Sequence, residues 1–250
     1  MNTRQRNILN ILQREQLSIK SAAVIFGVSE MTIRRDLSYL SSRGLAVLLK
    51  GGAMGSTLRY EPPSVSGTLS ELKFSLGEAL YSRIMPCASL FIGTGSTALA
   101  FAKVLSGKLH PALTVITNAL PVASALFRSS CKVILLGGEL RSTSLDLVGP
   151  LAESNLGQYH VDWLVSGCDG ALSSRGFFTS DFSLSHLEKK SIGIASRVAI
   201  ITESRKFGQA SLTCFVEPRQ VQLLVTDPAL PPAEAAPLRA AGIEIVFCST

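Results

Sequence analysis

Short apolar runs alternate with amphipathic helical patterns throughout the sequence after residue 88. Runs of three to five apolar residues have the length of buried strands, whereas the segments between them repeat apolar residues at helical spacing. This alternation favours an α/β fold, a Rossmann-like and mainly parallel sheet covered by helices. The predicted strands are 90–92, 113–116, 133–136, 163–165, 198–201, 223–225 and 243–247. The predicted helices are 70–84, 96–105, 119–128, 182–195 and 232–241.

Glycine and polar residues follow five of the predicted strands, where parallel sheets bind ligands. The loop 93–97, Gly-Thr-Gly-Ser-Thr, leads into a helix, so its N–H groups and hydroxyls can bind phosphate at the positive helix end. The loop 203–208 can bring a lysine to the same point. We expect an anionic effector to contact Thr94, Gly95, Ser96, Thr97, Asn118, Gly137, Gly138, Arg141, Asp169 and Lys206.

The positive charge of the chain is concentrated in its first 60 residues. This segment contains nine lysines and arginines and three acids, an excess of six that equals the net charge of the whole chain. The remaining residues therefore carry equal numbers of bases and acids. A basic segment beside a neutral remainder predicts that the segment binds a polyanion, which indicates nucleic acid.

Three helical patterns and one hairpin pattern occupy the basic segment. The first helix is predicted at 3–14 and the second at 18–26, where Gly27 is suited to ending a helix. A third helix begins at Ser29, a good N-cap, and its apolar residues recur at i, i+4 and i+7 as Ile33, Leu37 and Leu40. Residues 44–53 predict a β-hairpin wing.

A helix, a tight turn and a second helix with a basic outer face form a helix-turn-helix, whose second helix enters the DNA major groove. We expect DNA contacts from the outer face of the third helix and from the wing, through Ser29, Met31, Thr32, Arg34, Arg35, Ser38 and Lys50. Residues 57–70 are rich in Gly, Ser, Thr and Pro and predict a linker. The predicted domains are therefore 1–56 for DNA binding and 71–250 for effector sensing.

Several strings of residues resemble the DeoR family of transcriptional regulators. The segment 28–37, Val-Ser-Glu-Met-Thr-Ile-Arg-Arg-Asp-Leu, followed by Gly-Gly-Ala at 51–53, is similar to the family's N-terminal signature. Gly-Ser-Thr at 95–97, Asp-Gly at 169–170 and Lys-Phe-Gly at 206–208 resemble its sensor domain, which shares its fold with ribose-5-phosphate isomerase. The resemblance implies a repressor that binds a double-stranded DNA operator, responds to a phosphorylated sugar or related metabolite, and forms a homo-oligomer, a dimer or tetramer.

An alternative is a sugar-phosphate isomerase with an appended DNA-binding module. Isomerisation requires a general base and an electrophile beside it, and the candidates are Asp169, Glu139, Glu203 and Lys206. The isomerase clusters its carboxylates as Asp-Gly-Ala-Asp-Glu, whereas here Leu-Ser follows Asp-Gly-Ala at 169–171. The sequence therefore favours a regulator without catalytic activity.

Cysteine spacing and hydropathy bear on cofactors and location. The five cysteines are far apart, with no Cys-x-x-Cys pair and no histidine at zinc-finger spacing, so we expect buried thiols, a reducing compartment and no metal or cofactor. No apolar run reaches the roughly 18 to 20 residues that span a bilayer. The N-terminal residues also lack the continuous apolar block of a signal peptide. We therefore expect a cytoplasmic protein that does not bind a membrane.

Overall fold

The structure, a computed structural model, describes residues 1, 3–12, 17–42, 46–49, 51–55 and 70–249. The chain divides into two compact units, Met1–Glu61 and Pro62–Thr250. The predicted linker, 57–70, lies outside the described residues except for Ser70, and its boundaries stay predictions. Among the described residues, no helix combines the length and the apolar character that crossing a membrane requires.

The first unit is a winged helix-turn-helix. Its strands form an antiparallel sheet in the order β1-β3-β2. Ile33, Leu37 and Leu40 are buried together with residues of the first helix, as the stripe predicts. The second helix begins at Ser18, whose Oγ accepts a hydrogen bond from the Ser21 amide at 3.0 Å. The elements are α1 Thr3–Leu12, β1 Leu17–Ser18, α2 Ile19–Phe26, α3 Glu30–Ser42, β2 Ala46–Leu49 and β3 Gly52–Gly55.

The second unit is built on a seven-stranded sheet in which every neighbouring pair of strands is parallel. The strands of this unit are β4 Ser89–Ile92, β5 Thr114–Thr117, β6 Lys132–Leu135, β7 Glu139–Arg141, β8 Asp146–Val148, β9 Val161–Ser166, β10 Gly170–Leu172, β11 Gly176–Thr179, β12 Ala195–Ile201, β13 Thr213–Val216, β14 Leu223–Thr226 and β15 Glu244–Phe247. The parallel sheet has the order β15-β14-β12-β9-β4-β5-β6, so β9 lies between β12 and β4.

Helices cover both faces of the parallel sheet. Because successive strand side chains point to opposite faces, Leu90 and Ile92 pack with Leu76 on one face, while Phe91 packs with Leu187 on the other. The buried residues place α4, α5 and α6 on the first face and α7, α8 and α9 on the second. These helices are α4 Glu71–Ile84, α5 Ser96–Ser106, α6 Leu120–Leu126, α7 Gly149–Leu156, α8 Phe182–Gly193 and α9 Pro232–Ala240.

The predicted fold class is confirmed, since a small winged helix-turn-helix precedes an α/β unit with a parallel sheet. Three of the elements that were not predicted lie around the parallel sheet. They are the antiparallel hairpin β7–β8, the antiparallel sheet β10-β11-β13 and the helix α7. The two antiparallel elements follow β6 and β9, so they extend the loops at the carboxyl ends of these strands.

Candidate functional site

The outer face of α3 is exposed and basic. Met31 is 69% exposed, and Arg34, Arg35 and Ser38 are also exposed. Neither arginine forms an ion pair with any residue that the structure describes. Their guanidinium groups can therefore bind phosphate groups without first breaking an internal contact.

Hydrogen bonds of the Ser29 and Thr32 side chains stabilise the amino-terminal end of α3. The Oγ atom of Ser29 accepts a hydrogen bond from the Thr32 amide at 3.2 Å and lies 2.9 Å from the Thr32 hydroxyl. This arrangement satisfies an amide of the first helical turn, which is the function of an N-cap. Both predicted contact residues thus have a structural role in the absence of DNA. The predicted wing contact, Lys50, lies outside the described residues.

A buried acid, Asp36, fixes α3 against α1. Its carboxylate accepts hydrogen bonds from Arg4 Nε at 2.6 Å and from Gln5 Nε2 at 2.9 Å. Asp36 is only 4% exposed, so this pair of contacts offsets the cost of burying the charge. The sequence carried a signal for this role, because Asp36 lies three residues after the core residue Ile33 and four before Leu40.

A pocket lies beyond the carboxyl ends of β4, β9 and β12 and encloses about 130 Å³. We call it the strand-end pocket. It brings together six of the residues predicted to bind the effector, which are Thr94, Gly95, Ser96, Thr97, Asp169 and Lys206. Its remaining lining, which the sequence did not predict, is Lys73, Gly167, Cys168, Thr179, Leu184, Glu188, Thr202, Glu203 and Arg205.

The amino-terminal end of α5 opens into the strand-end pocket without a side-chain cap. Gly95 precedes the helix at a φ of 101°, a value that favours glycine, and no side chain accepts a hydrogen bond from the first turn. In contrast, Asp181 caps α8 by accepting a hydrogen bond from the Leu184 amide at 2.8 Å. The free N–H groups of α5 can therefore bind an anion.

Three cations line the strand-end pocket. Arg205 Nε donates to Glu203 Oε2 at 2.9 Å, and Lys73 Nζ lies 3.8 Å from Glu203 Oε1. The hydrogen bonds from Arg205 hold the pKa of Glu203 below its usual value. Lys206 is partly buried, and its ammonium group forms no ion pair or hydrogen bond with the residues described. Lys206 is thus the cation that a bound anion can engage directly.

Acidic and thiol groups line other parts of the strand-end pocket. Asp169 is exposed and accepts hydrogen bonds from the amide and hydroxyl of Ser180 at 2.8 and 2.6 Å. Burial and, to a smaller extent, the nearby charge of Asp169 raise the pKa of Glu188 to about 8. The Cys168 thiol donates to Thr202 Oγ1 at 3.3 Å, and burial raises its pKa to about 12. Cys168 is therefore a neutral thiol and a poor nucleophile.

Four residues predicted to bind the effector lie outside the lining of the strand-end pocket. Asn118 is buried, donates to the Leu147 carbonyl at 3.2 Å, and shares with Thr94 a narrow cavity of about 10 Å³. Gly137 and Gly138 lie between β6 and β7, where the backbone of Val148 and the side chain of Ala152 crowd Gly138. The predicted contact of these three residues with the effector stays a prediction.

Arg141 is the fourth of these residues, and two carboxylates engage it. Its Nε and Nη2 atoms donate to the buried Asp146 at 2.7 and 2.5 Å, and its Nη1 atom lies 2.6 Å from Asp181. Since Asp181 caps α8, Arg141 connects the β7–β8 hairpin to the start of that helix. The isomerase candidate Glu139, on β7, also lies outside the pocket lining.

Metal-binding groups are not clustered in the part of the chain that the structure describes. No group of three or more His, Cys, Asp or Glu side chains there could hold an ion. The described cysteines are all free thiols. The expectation of no cofactor stays a prediction.

Comparisons with known proteins match both units. A model described as the DeoR-like helix-turn-helix domain matches residues 4–57, and one described as the DeoR C-terminal sensor domain matches residues 69–228. The chain is 29% identical, over 98% of its own length and 92% of the relative's, to a putative aga operon transcriptional repressor of Escherichia coli O157:H7. It is 31% identical, over 90% and 88%, to the transcriptional repressor AccR of Agrobacterium fabrum.

A weaker similarity links the chain to a solved structure, ribose 5-phosphate isomerase A from Neisseria gonorrhoeae. The TM-score is 0.42 and the identity 16%, over 56% of this chain and 54% of the isomerase. A similarity at this level supports no statement about chemistry. The repressors, which match nearly the whole length of the chain, are the relatives that bear on function.

Proposed function

The chain belongs to the DeoR family of DNA-binding transcriptional regulators, and we propose that its strand-end pocket binds the phosphate group of a small effector, a phosphorylated sugar or related metabolite. The observation that carries this proposal is that the uncapped amino-terminal end of α5 and the unpaired Lys206 line the same pocket. Helix N–H groups and a lysine ammonium group are the donors that phosphate prefers. As a family member whose relatives are repressors, the chain is a regulator and not an enzyme.

For the first unit, we propose that α3 enters the major groove of a double-stranded operator. Arg34 and Arg35 would bind phosphates, whereas Met31 and Ser38 would reach base edges. Operators of helix-turn-helix proteins contain paired half-sites, so we further propose that the chain acts as a dimer or tetramer. Effector binding would change operator affinity by stabilising one arrangement of the oligomer over another.

Replacing Arg35 by alanine is expected to weaken operator binding about threefold to tenfold. It should also reduce by about one the magnitude of the slope of log K for operator binding against log salt concentration. The reason is that one phosphate contact, with its released counterion, is lost. The measurement is fluorescence anisotropy with a labelled operator fragment over 50 to 300 mM salt. Arg239→Ala, an exposed arginine of α9, removes the same charge outside the first unit and should leave both values unchanged. An unaltered slope in Arg35→Ala would remove Arg35 from the DNA interface.

Replacing Lys206 by alanine is expected to weaken effector binding by at least tenfold, because a charge-assisted hydrogen bond contributes about 1.5 to 3 kcal/mol. The measurement is the rise in melting temperature when a phosphorylated sugar binds, with ligands found by screening hexose and pentose phosphates. Lys103→Ala is the matched control, since Lys103 is an exposed lysine of α5. A full thermal shift in the Lys206→Ala protein would exclude Lys206 from the site.

A further inference from the structure

Glu188 has a feature that phosphate binding does not explain. Its Oε2 atom is buried and has no hydrogen-bond partner among the residues described. A side-chain hydrogen bond with Thr179 favours the charged form of the carboxyl group and lowers its pKa, but burial outweighs it. Glu188 lines both the strand-end pocket and the narrow cavity beneath it. A buried polar atom without a partner is costly, so such an atom in a ligand pocket indicates a donor that the ligand supplies.

The uncapped N–H groups of α5 and the carboxyl group of Glu188 enter the strand-end pocket from opposite faces of the sheet. Helices α4 and α5, which carry Lys73 and the uncapped N–H groups, pack on one face. Helix α8, which carries Glu188, packs on the other face through Leu187. A ligand whose phosphate group lies at α5 therefore extends across the ends of the strands toward a carboxyl group.

The charges around Glu188 favour a cationic donor over a neutral one. Asp169 lines the same pocket, and Asp169 and Asp146 both raise the pKa of Glu188, whereas Arg141 lowers it. Arg141 is occupied by two other carboxylates. A second negative charge near a buried carboxyl group is offset best by a bound cation, and a primary ammonium group supplies three donors as well as the charge.

We propose that the strand-end pocket selects sugar phosphates that carry a primary amine, and that Glu188 binds the ammonium group. This inference rests on the proposed phosphate-binding function, which it deepens by naming the second recognised group. Glu188 is then the residue that distinguishes an amino sugar phosphate from the corresponding hydroxy sugar phosphate. This specificity arises because a hydroxy sugar phosphate lacks the ammonium group, so the Glu188 carboxyl group stays unpaired when it binds.

Ammonium binding changes the protonation of Glu188. In the empty pocket, burial holds the pKa of Glu188 near 8, so at pH 7 the carboxyl group is mostly protonated. An ammonium group that contacts Oε2 stabilises the carboxylate, and the carboxyl proton passes to the buffer. The other titratable groups of the pocket are Asp169, Cys168, Glu203, Lys73, Arg205 and Lys206. Because these groups also respond to a neutral ligand, the difference between an amino and a hydroxy ligand isolates Glu188.

The test is isothermal titration calorimetry of the full-length chain with matched ligand pairs. Glucosamine, galactosamine and mannosamine 6-phosphates are compared with glucose, galactose and mannose 6-phosphates, at pH 7 in two buffers of different ionisation enthalpy. At least one amine is expected to bind 10-fold or more tightly than its hydroxy partner and to release more protons. In Glu188→Gln, the amine and its hydroxy partner should bind with affinities within about threefold of each other. The proton release that the amine causes beyond that of its hydroxy partner should disappear.

The possible outcomes separate this inference from the proposed function. Equal affinity for both members of each pair, or tighter binding of an N-acetylated ligand than of its free amine, overturns amine selection but leaves phosphate binding intact. A preference that persists in Glu188→Gln removes Glu188 from the contact. If none of the phosphates binds the wild-type chain, phosphate recognition fails and amine selection fails with it. Glu78→Gln, at an exposed acid of α4, should behave as the wild type.

Discussion

We expect Glu188→Gln to gain stability over the wild type as pH rises. In the ligand-free protein, the free energy of unfolding of the variant minus that of the wild type should be about 2 kcal/mol or more larger at pH 9 than at pH 5.5. This corresponds to a relative rise in melting temperature of roughly 4 to 8 °C. Burial raises the pKa of this carboxyl group from 4.5 to about 8 in the folded chain. Each unit of difference between the folded and unfolded pKa values is equivalent to about 1.4 kcal/mol. Because about one unit of this contribution is already lost at pH 5.5, the upper limit for the change between pH 5.5 and pH 9 is about 3 kcal/mol. Access of water from the pocket lowers the effect below that limit.

The sign follows from proton binding. Between pH 4.5 and 8 the folded chain holds a proton on Glu188 that the unfolded chain has released, so this residue makes stability fall as pH rises through that range. Glutamine retains the shape and hydrogen-bonding groups of the side chain but cannot ionise. The fall in stability with rising pH that Glu188 causes is therefore absent from the variant. The measurement is the melting temperature of both proteins from pH 5 to pH 9, taken as a difference so that all other titrating groups cancel.

Two results would bear directly on this expectation. Glu78→Gln, which removes an exposed carboxylate paired with Lys108, should change stability by less than about 1 kcal/mol across the same range. A difference between Glu188→Gln and the wild type that stays constant from pH 5 to pH 9 would show that Glu188 is ionised throughout. In that case the buried Oε2 atom would need a cationic partner within the protein itself.

The seven strands of the parallel sheet could be predicted because each contains a short apolar run of the length of a buried strand. The order of the strands could not be predicted, since nothing in a single sequence states which run lies beside which. That order decides which loops meet to form the strand-end pocket. The central strands β12, β9 and β4 are neighbours, so their loops meet and place Lys206, Asp169 and Thr94 together. Strands β5 and β6 lie farther along the sheet, and Asn118 and Gly138 follow them outside the pocket lining.

The contribution of α8 to the strand-end pocket was not predicted, because the rule that ligands bind in the loops after parallel strands does not include a helix. The sequence did contain a sign of it. Leu184, Leu187, Glu188 and Ser191 share one face of the helix at i, i+3, i+4 and i+7. An acid within an apolar stripe is either paired in the core or exposed to a ligand. The same criterion, applied to α3, would have identified Asp36 as the partner of Arg4.

The glycine pair at the start of β3 belongs to a sequence pattern whose physical cause is visible only in the structure. The wing was predicted from apolar residues around Gly51 and Gly52. The structure adds a third strand, β1, which is too short to predict and pairs with β3 through Leu17 opposite Ala53 and Ser18 opposite Gly52. A glycine is needed at position 52 because β1 passes directly over it.

Gly52→Ala is therefore expected to reduce operator affinity by at least tenfold. A Cβ atom at position 52 would overlap the carbonyl oxygen of Leu17 and lie 3.1 Å from the Cα of Ser18. Both are backbone atoms, so the overlap is relieved only if β1 moves, at a cost of about 1 to 3 kcal/mol. Leu17 is a core residue and Ser18 caps α2, so the displacement loosens the first helix of the helix-turn-helix.

Hydrogen exchange and DNA binding test this expectation together. In Gly52→Ala, amides of α2 should exchange faster than in the wild type, and the anisotropy assay should give weaker operator binding. Gly51→Asn is the matched control, because position 51 has a φ of 89° but no other atom within 4 Å of a Cβ there. Asparagine tolerates positive φ better than other side chains, so the cost should stay below about 1 kcal/mol. Wild-type operator affinity in Gly52→Ala would mean that β1 shifts without disturbing α2, and the position of α2 would then depend on its core residues Ile19 and Ala22 instead of on the wing.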